Sequence, residues 1–301
     1  MSESPVTVPV CYRHPSKETY IKCTRCDRPI CPDCMNEASV GHQCPECVAE
    51  GRKTQRSART AFGGSVAGRV GTVTRWLIGI NVAAMILSVV SGGMGALAGG
   101  GWGGLLGNQT PLTLRGGVIA LISYGPGGDV HGVAAGEWWR LITAMFLHYG
   151  VLHLLMNMYA LWILGRELEA SLGRLRYIGL YLLAGLGGNV ASYLFDPQSI
   201  SVGASTAVFG LMAAIFVILK RLNRSVAPIA PVIVINLVFT FVISNVSVAG
   251  HLGGLIVGAL AAGVLAYAPK QRRTMFQAIG CGIIVAVLVG AVIVRTLGYY
   301  T

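Results

Sequence analysis

Long apolar runs follow one another from about residue 73 to the end of the chain, separated by short polar or glycine-rich segments. A helix needs roughly 20 apolar residues to cross about 30 Å of hydrocarbon. The glycine-rich stretch between the first two runs is predicted as an outer loop, and its apolar segment 117–124 can enter the membrane interface. The expected fold class is an all-α polytopic membrane protein with seven transmembrane helices, at 73–92, 141–164, 175–195, 205–222, 228–245, 248–268 and 276–297.

The composition supports this pattern. Of 301 residues, 53% are hydrophobic and 12% are charged, whereas soluble domains contain about a quarter charged residues. The net charge of +11 would also suit a nucleic-acid-binding protein. However, the basic residues stand in short clusters beside the apolar runs, so membrane topology explains them and no nucleic-acid partner is expected. The N-terminal stretch MSESPVTVPV has no basic region followed by an apolar core, so no cleavable signal peptide is expected.

The basic clusters also predict an orientation, because Lys and Arg are enriched in cytoplasmic loops. They precede the first helix and join helices two and three, four and five, and six and seven, as RKTQRSAR, GRELEASLGRLR, KRLNR and PKQRR. The loops DPQSIS and SNVS have no Lys or Arg, although the first outer loop contains Arg115 and Arg140. We therefore expect a protein of the plasma membrane with a cytoplasmic N-terminus and a C-terminus outside.

Polar side chains recur near the outer ends of three predicted helices. Ser205 opens the fourth helix, His251 lies near the start of the sixth, and the second begins with His148, His153 and Asn157. A lone serine in a membrane helix usually bonds its own backbone, but a histidine at this depth usually faces a partner or a watery cavity. Glycines around Ser205 and His251 favour close approach of their helices. Within hydrogen-bond reach, a neutral imidazole would be a suitable base for a serine nucleophile.

Acyl transfer by a serine also needs donors for the developing oxyanion. His153 and Asn157 are spaced i, i+4 and share one face of the second helix, where either can donate to a negative oxygen. The backbone N–H of Ser205, at the start of its helix, would be a third donor. His148 lies roughly 140° around the helix from His153, so we expect it to order the outer rim. Interhelical hydrogen bonding explains His153 and Asn157 equally well when they are taken alone.

The segments WWRLITAMFLHYGVLHLLMNMYALWILGRELE, GASTAVFGL and GHLGG occur in this order within residues 137–268. Together they resemble the rhomboid family of intramembrane serine proteases. The resemblance implies a six-helix protease core at 73–268, and the apolar helix within 269–301 is similar to the additional C-terminal helix of one version of this fold. It also implies substrates that are transmembrane proteins, cleaved in or near their membrane-spanning segments at the outer face, and no cofactor for catalysis.

The same resemblance implies a role for individual residues. Ser205 would be the nucleophile and His251 the general base and then acid of a Ser–His dyad that has no third acid. His153 and Asn157 would form the oxyanion hole.

Further implied positions lie around this core. The Trp139–Arg140 pair would lie in the large outer loop beside the helices, and Phe209 would pack against the catalytic histidine. Two residues depart from the family pattern: Thr206 stands where glycine usually follows the serine, and Gly250 stands where alanine often precedes the histidine. Thr206 puts the rate and preference of cleavage in doubt more than catalysis itself.

Two other classes of function compete with proteolysis. A catalytically inactive relative would bind membrane clients through the same groove, and a transporter or channel would use the histidines as a proton path. The intact Ser205 and His251 pair argues against an inactive relative. The lack of any buried carboxylate or repeated half argues against a transporter.

The first 50 residues form a separate module rich in metal ligands. Seven cysteines and one histidine give eight potential ligands, enough for two closed tetrahedral sites, which indicates two structural zinc ions. Seven cysteines leave an odd one, and a cytoplasmic module faces a reducing compartment, so disulfides are disfavoured. His42 is a spare ligand that could compete with Cys44. The ligands form four pairs with two-residue gaps: Cys11/His14, Cys23/Cys26, Cys31/Cys34 and Cys44/Cys47.

The order of these pairs resembles a B-box-type cross-brace, which implies that pairs one and three bind one zinc and pairs two and four the other. The expected role of residues 1–50 is to dock a cytoplasmic protein or to steady the membrane domain. Residues 51–72 form a basic linker that would lie along the anionic inner leaflet or act as a solvated spacer. Cys281 in the last helix is expected to be an apolar packing residue.

Overall fold

The computed structural model describes residues 8–54, 58–65, 70–100, 106–123, 128–242 and 247–301. The chain divides into two compact units, Met1–Ser57 and Ala58–Thr301. The smaller unit has little apolar core, since its buried cluster consists of cysteine side chains and Ile30. Its regular elements are a short 3-10 helix at Pro32–Cys34, an antiparallel pair of strands β1 (Asn36–Glu37) and β2 (His42–Gln43), and helix α1 (Pro45–Thr54).

The described part of the larger unit is mainly helical and includes one pair of short strands. Helix α2 is followed by a loop that contains the short helix α3, and strands β3 and β4 pair antiparallel within the same loop. The elements are α2 (Thr72–Gly92), α3 (Pro111–Gly116), β3 (Ile122–Ser123), β4 (Val130–His131), α4 (Arg140–Thr143), α5 (Gly150–Leu172), α6 (Arg174–Phe195), α7 (Ser205–Arg221), α8 (Ala230–Val242), α9 (Val248–Tyr267) and α10 (Arg273–Leu297).

The helical, membrane-spanning character predicted from the sequence is confirmed. Within the residues that the structure describes, four helices are long and apolar enough to cross a membrane, namely α2, α6, α9 and α10. A fifth span is the bent pair formed by Arg140–Phe146 and Gly150–Leu172. Helices α7 and α8 lie where the other two spans were predicted, but they have only 17 and 13 residues. Seven helical segments of the described chain therefore correspond to the seven predicted spans.

The span predicted at 141–164 is not one continuous helix. The chain bends by 91° between Phe146 and Gly150, and α5 then continues to Leu172. Gly150 adopts a positive φ of 86°, and a Cβ there would collide with the backbone of Gly107 in the outer loop. At the break, the Ala144 carbonyl accepts the N–H of Leu147 at 3.4 Å and also the N–H of Gly203 at 2.9 Å. The bend thus ties the start of this span to the segment that leads into α7.

Helices α7 and α9 approach each other through glycine. A Cβ on Gly258 would overlap Gly210 in the facing helix, and one on Gly254 would overlap the Thr206 carbonyl. Such close backbone approach is available only where side chains are absent or very small. Gly203, which precedes α7, lies beside His153 and Ser205 rather than in this helix contact.

This glycine contact gives a paired test on a single helix. We expect Gly258→Ala to destabilise the protein by about 1–3 kcal/mol, the usual cost of overpacking. Gly263→Ala, also in α9, places its methyl group where nothing lies within 4 Å, so it should be neutral or stabilise by up to ~1 kcal/mol. Thermal unfolding in detergent measures both variants. Equal effects of the two substitutions would contradict the close helix contact.

The outer loop is organised around a buried ion pair. The Arg140 guanidinium, 1% exposed, donates from Nε to Glu137 at 2.6 Å and from one terminal nitrogen to the carbonyls of Leu114 and Gly117 at 2.6 and 2.9 Å. Glu137 also accepts the Gly132 N–H at 2.7 Å. Burial opposes ionisation of Glu137, but hydrogen bonds from His131, Arg140 and Gly132 outweigh it and lower the pKa. One buried pair therefore joins the stretches before and after the β3–β4 hairpin.

The opposite end of the helical unit contains a buried carboxylate, which corrects the expectation that none exists. Glu169 of α5 is 3% exposed and accepts the N–H groups of Val73 and Thr74 at 3.1 and 3.0 Å. A carboxylate at a helix N-terminus satisfies free N–H groups and the helix dipole. Glu169 therefore caps α2, and its buried position is structural. Nearby, Phe62 from the predicted linker is buried and its carbonyl accepts from Gln277 of α10.

Candidate active site and metal clusters

Ser205 and His251 are brought together by the close approach of α7 and α9. His251 Nε2 lies 2.8 Å from Ser205 Oγ. Ser205 is the first residue of α7, and His251 lies in the first turn of α9 after the N-cap Ser247. Both side chains are partly exposed, while Ala204, Thr206 and their neighbours in α7 are buried. Ser205 and His251 therefore keep some exposed surface among otherwise buried neighbours.

The imidazole of His251 is held on two further sides. The ring of Phe209, one turn along α7 from Ser205, stacks on it with centroids 4.1 Å apart and an interplanar angle of 17°. His251 Nδ1 lies 2.8 Å from Thr240 Oγ1 of α8. The ring therefore has a fixed plane and fixed partners at both nitrogens.

The His153 ring and the Ser205 hydroxyl both border Gly203, and Asn157 lies one turn after His153 in α5. A Cβ atom placed on Gly203 would lie 3.1 Å from His153 Nε2 and 3.3 Å from Ser205 Oγ. A side chain at residue 203 would therefore crowd the His153 ring and the Ser205 hydroxyl. The Asn157 amide uses one N–H on the His153 carbonyl at 2.9 Å, and its second N–H remains as a donor. Gly203 adopts a positive φ of 138°, which favours glycine.

His148 supports the turn before α7. It is 2% exposed, and its Nε2 accepts the N–H of Ala204 at 3.4 Å. Its ring meets that of His153 edge-on, with centroids 5.0 Å apart. His148 thus contacts both the residue before Ser205 and the ring that faces it, and this position suits a supporting role.

The two residues that depart from the family pattern lie next to each other in the fold. Thr206 is 3% exposed and points into the α6–α9 contact, where its side chain packs against Gly188 and Gly250. A Cβ on residue 250 would lie 3.2 Å from the Thr206 methyl group and 2.6 Å from Ser192 Oγ. The larger residue at 206 therefore fits beside the smaller one at 250, away from the Ser205 hydroxyl.

Trp139 and Arg140 lie at the start of α4, as part of the outer loop. Trp139 is the half-exposed N-cap residue of α4, and Arg140 is the buried centre of the outer loop described above. Backbone hydrogen bonds join the outer loop to the segment before Ser205. Val118 and Ser201 exchange two bonds of 2.9 Å, and the Ala120 N–H donates to the Pro197 carbonyl at 3.2 Å. Tyr149 adds a hydrogen bond from its hydroxyl to the Ile200 carbonyl at 3.1 Å.

Sequence reasoning missed Thr240. Threonine is common in apolar helices, so Thr240 did not stand out. Which face of α8 contacts α9 depends on packing between the helices. One signal was available: Asn236 and Thr240 are the polar residues of α8, and their i, i+4 spacing puts them on one face. The side-chain amide of Asn236 donates to the Val232 carbonyl at 2.8 Å. The backbone carbonyl of Asn236 accepts the hydroxyl hydrogen of Thr240, also at 2.8 Å.

In the smaller unit, the eight predicted ligands form two groups of four. Cys11, His14, Cys31 and Cys34 form one group and Cys23, Cys26, Cys44 and Cys47 the other, with the ligand atoms of each group within 4.8 Å of one another. Each group could hold a metal ion. The cross-brace grouping of pairs one and three, and of pairs two and four, is thereby confirmed. His42 lies in β2 and belongs to neither group.

The chemistry of the donors fits zinc. Tetrahedral Zn–S bonds of about 2.3 Å put two sulfur atoms roughly 3.8 Å apart, and the Sγ atoms of Cys26 and Cys44 are 3.8 Å apart. Arg28 donates to both of these atoms, at 3.3 and 3.5 Å, and would offset the negative charge of a four-thiolate site. Burial opposes the thiolate of Cys23, but backbone N–H groups, including that of Cys44, outweigh it and lower the pKa to about 6.

Comparisons with known proteins identify the family of the helical unit. A family model described as the Rhomboid domain matches residues 135–268. Rhomboid protease GluP of Bacillus subtilis (strain 168) is 41% identical over 163 residues, which are 52% of this chain and 32% of GluP. "Putative rhomboid protease YdcA" of the same bacterium is 38% identical over 148 residues, which are 47% of this chain and 74% of that protein. RHOMBOID-like protein 6, mitochondrial, of Arabidopsis thaliana is 39% identical over 154 residues, 48% of this chain and 49% of that protein.

The chain therefore belongs to the rhomboid family, as its motifs predicted, and it is an integral membrane protein. It spans about a third of the length of GluP, three quarters of YdcA and half of the Arabidopsis relative.

Proposed function

We propose that this protein is an intramembrane serine endopeptidase that hydrolyses peptide bonds in or near transmembrane segments of other membrane proteins, using Ser205 and His251 as its catalytic pair. The observation that carries the proposal is the 2.8 Å contact between His251 Nε2 and Ser205 Oγ. Membership of a family whose relatives are named proteases supports it. Cleavage of a membrane-spanning reporter by the purified protein in liposomes tests it, with Ser205→Ala protein as the matched control.

The proposed reaction follows serine acyl transfer. The Ser205 proton moves to His251 Nε2 while Oγ bonds to the scissile carbonyl carbon, and the carbonyl electron pair becomes the oxyanion. His153, the free N–H of Asn157 and the N–H of Ser205 stabilise that oxyanion. His251 then gives its proton to the leaving amine, and water hydrolyses the acyl-enzyme with His251 again as base. No step requires a cofactor.

The proposed site opens towards the outer face of the plasma membrane. This orientation rests on the basic clusters at the other end of the helices. Two hydrogen bonds support placing the outer loop and the predicted outer ends of α6 and α10 at the same end of the helical unit. Tyr193 of α6 bonds Thr296 of α10 at 2.8 Å, and the hydroxyl of Tyr300 donates to the Ala134 carbonyl in the outer loop at 2.7 Å.

The orientation gives a labelling prediction for two exposed loop residues. In intact cells, a cysteine at Gln198 should react with an impermeant thiol reagent, and one at Asn223 should react only after the membrane is permeabilised, because the loops lie on opposite sides. The unsubstituted protein sets the background from native cysteines. The reverse pattern would put Ser205 at the cytoplasmic end and refute the outer-face site.

We further propose that each cysteine cluster holds a structural zinc ion and that the module docks a cytoplasmic protein. Purified protein should contain about two zinc ions per chain. Cys23→Ser should lower the zinc content and unfold the module, because closed zinc sites supply folding energy, yet leave membrane insertion intact. Elemental analysis measures the metal.

Cys281→Ser is the matched control for the zinc prediction, because Cys281 lies in α10 and belongs to neither cluster. It should retain both zinc ions. Absence of zinc from the wild-type protein, or disulfide-linked pairs under non-reducing conditions, would contradict the two-zinc assignment.

A further inference from the structure

The hydrogen bonds of Thr240 point to a defined role in the proposed reaction. Thr240 Oγ1 donates to the Asn236 carbonyl at 2.8 Å, one turn back along α8. A hydroxyl has one hydrogen, so Thr240 can serve its second neighbour only as an acceptor. That neighbour is His251 Nδ1, also at 2.8 Å. The proton in this contact therefore belongs to the imidazole.

The direction of this bond fixes the tautomer of His251. A neutral imidazole carries one proton, so a proton on Nδ1 leaves a lone pair on Nε2. Nε2 faces Ser205 Oγ at 2.8 Å, and the serine proton can move only to a nitrogen that has a free lone pair. In the opposite tautomer Nε2–H would donate to the serine and could not accept its proton.

The position of Thr240 supports this reading. Among the described residues of α8, Thr240 alone is buried, at 3% exposure, while Phe239 and Phe241 on either side are more than half exposed. A buried hydroxyl in an apolar setting needs hydrogen-bond partners. The partners of Thr240 are the Asn236 carbonyl and His251. The contact also attaches α8, a short and largely exposed helix, to the imidazole.

We propose that Thr240 is a positioning residue for His251, whose hydroxyl accepts the Nδ1–H and thereby keeps the lone pair of Nε2 directed at Ser205. This inference rests on the proposed protease function. It extends the catalytic pair to a series of hydrogen bonds that runs from Ser205 through His251 and Thr240 to the backbone carbonyl of Asn236. When His251 takes the serine proton, the Nδ1–H donates from a charged ring, and the bond to Thr240 becomes stronger. Thr240 therefore stabilises the charged ring in the transition state more than it affects substrate binding.

The kinetic test uses three variants in liposomes with a membrane-spanning reporter. Thr240→Val keeps the shape and removes the acceptor, so kcat should fall roughly ten- to a hundredfold, the scale of a hydrogen bond to a charged group, with KM nearly unchanged. Thr240→Ser restores the hydroxyl and should recover most of kcat. Thr296→Val, on α10, removes another interhelical hydroxyl bond of 2.8 Å and should keep nearly full activity. Equal losses in the two valine variants, or no rescue by serine, would overturn the proposal.

A spectroscopic measurement reads the tautomer itself. In ¹⁵N-histidine-labelled protein, the ring nitrogen shifts of His251 should report the proton on Nδ1 in the wild type and in Thr240→Ser, and a mixture of tautomers in Thr240→Val. An unchanged tautomer in Thr240→Val would overturn the positioning role. Failure of the protease function is distinct, since it would appear as undiminished reporter cleavage by Ser205→Ala protein.

Discussion

Replacing Ser205 with alanine is expected to abolish cleavage of a membrane-spanning reporter, and His251→Ala is expected to do the same. One substitution removes the nucleophile and the other removes the base that accepts its proton. In serine proteases, loss of either member of such a pair lowers kcat by about 10⁴-fold or more. The measurement is the rate of reporter cleavage in liposomes by purified protein, with the fragments identified by mass spectrometry.

The matched control for Ser205→Ala is Ser88→Ala. Ser88 is buried in α2 and its hydroxyl makes no recorded hydrogen bond, so its loss tests only the effect of removing a serine from a membrane helix. Ser88→Ala protein should cleave at the wild-type rate. Equal rates in wild-type and Ser205→Ala protein would mean that Ser205 is a packing residue.

The second large effect is expected at the oxyanion donors. Asn157→Ala should slow turnover by up to roughly a hundred- to a thousandfold, the usual cost of one donor. His153→Ala should do likewise unless the two donors compensate for each other. Because the oxyanion exists only during the reaction, kcat should fall more than KM rises.

Asn81→Ala provides the control for Asn157→Ala. Asn81 is buried in α2 and donates to the carbonyl four residues earlier at 2.7 Å, as Asn157 does at 2.9 Å. If the role of Asn157 is only to bond its own helix, the two variants should lose activity equally. A selective loss in Asn157→Ala supports the donor role.

The pairing of Ser205 with His251 was accessible from the sequence because its causes are local. Each residue opens an apolar helix, and glycines such as Gly210 and Gly258 are themselves the signal for close helix approach. The depth of a residue follows from its distance to the helix end. Similarly, the two-residue gap within each Cys/His pair predicted which residues could be metal ligands. Which pairs share a metal ion was predicted from the resemblance to a B-box-type cross-brace.

Other parts of the site depend on contacts between distant segments and could not be predicted. The bend before Gly150 has no proline to signal it and arises where the outer loop packs against that glycine. The contact between Thr240 and His251 depends on the rotation of α8 against α9, which an apolar sequence barely specifies. Burial of Glu169 likewise required knowledge that α5 extends beyond its predicted end to meet the start of α2.

Covalent labelling tests the central claim most directly. Purified wild-type protein incubated with a fluorophosphonate should gain one adduct, located on Ser205 by tandem mass spectrometry, because the reagent reacts with a serine activated by a neighbouring base. The adduct should be absent from Ser205→Ala and His251→Ala protein of equal thermal stability. A folded wild-type protein that remains unlabelled, or one labelled at another serine, would contradict the assignment of Ser205 as an activated nucleophile.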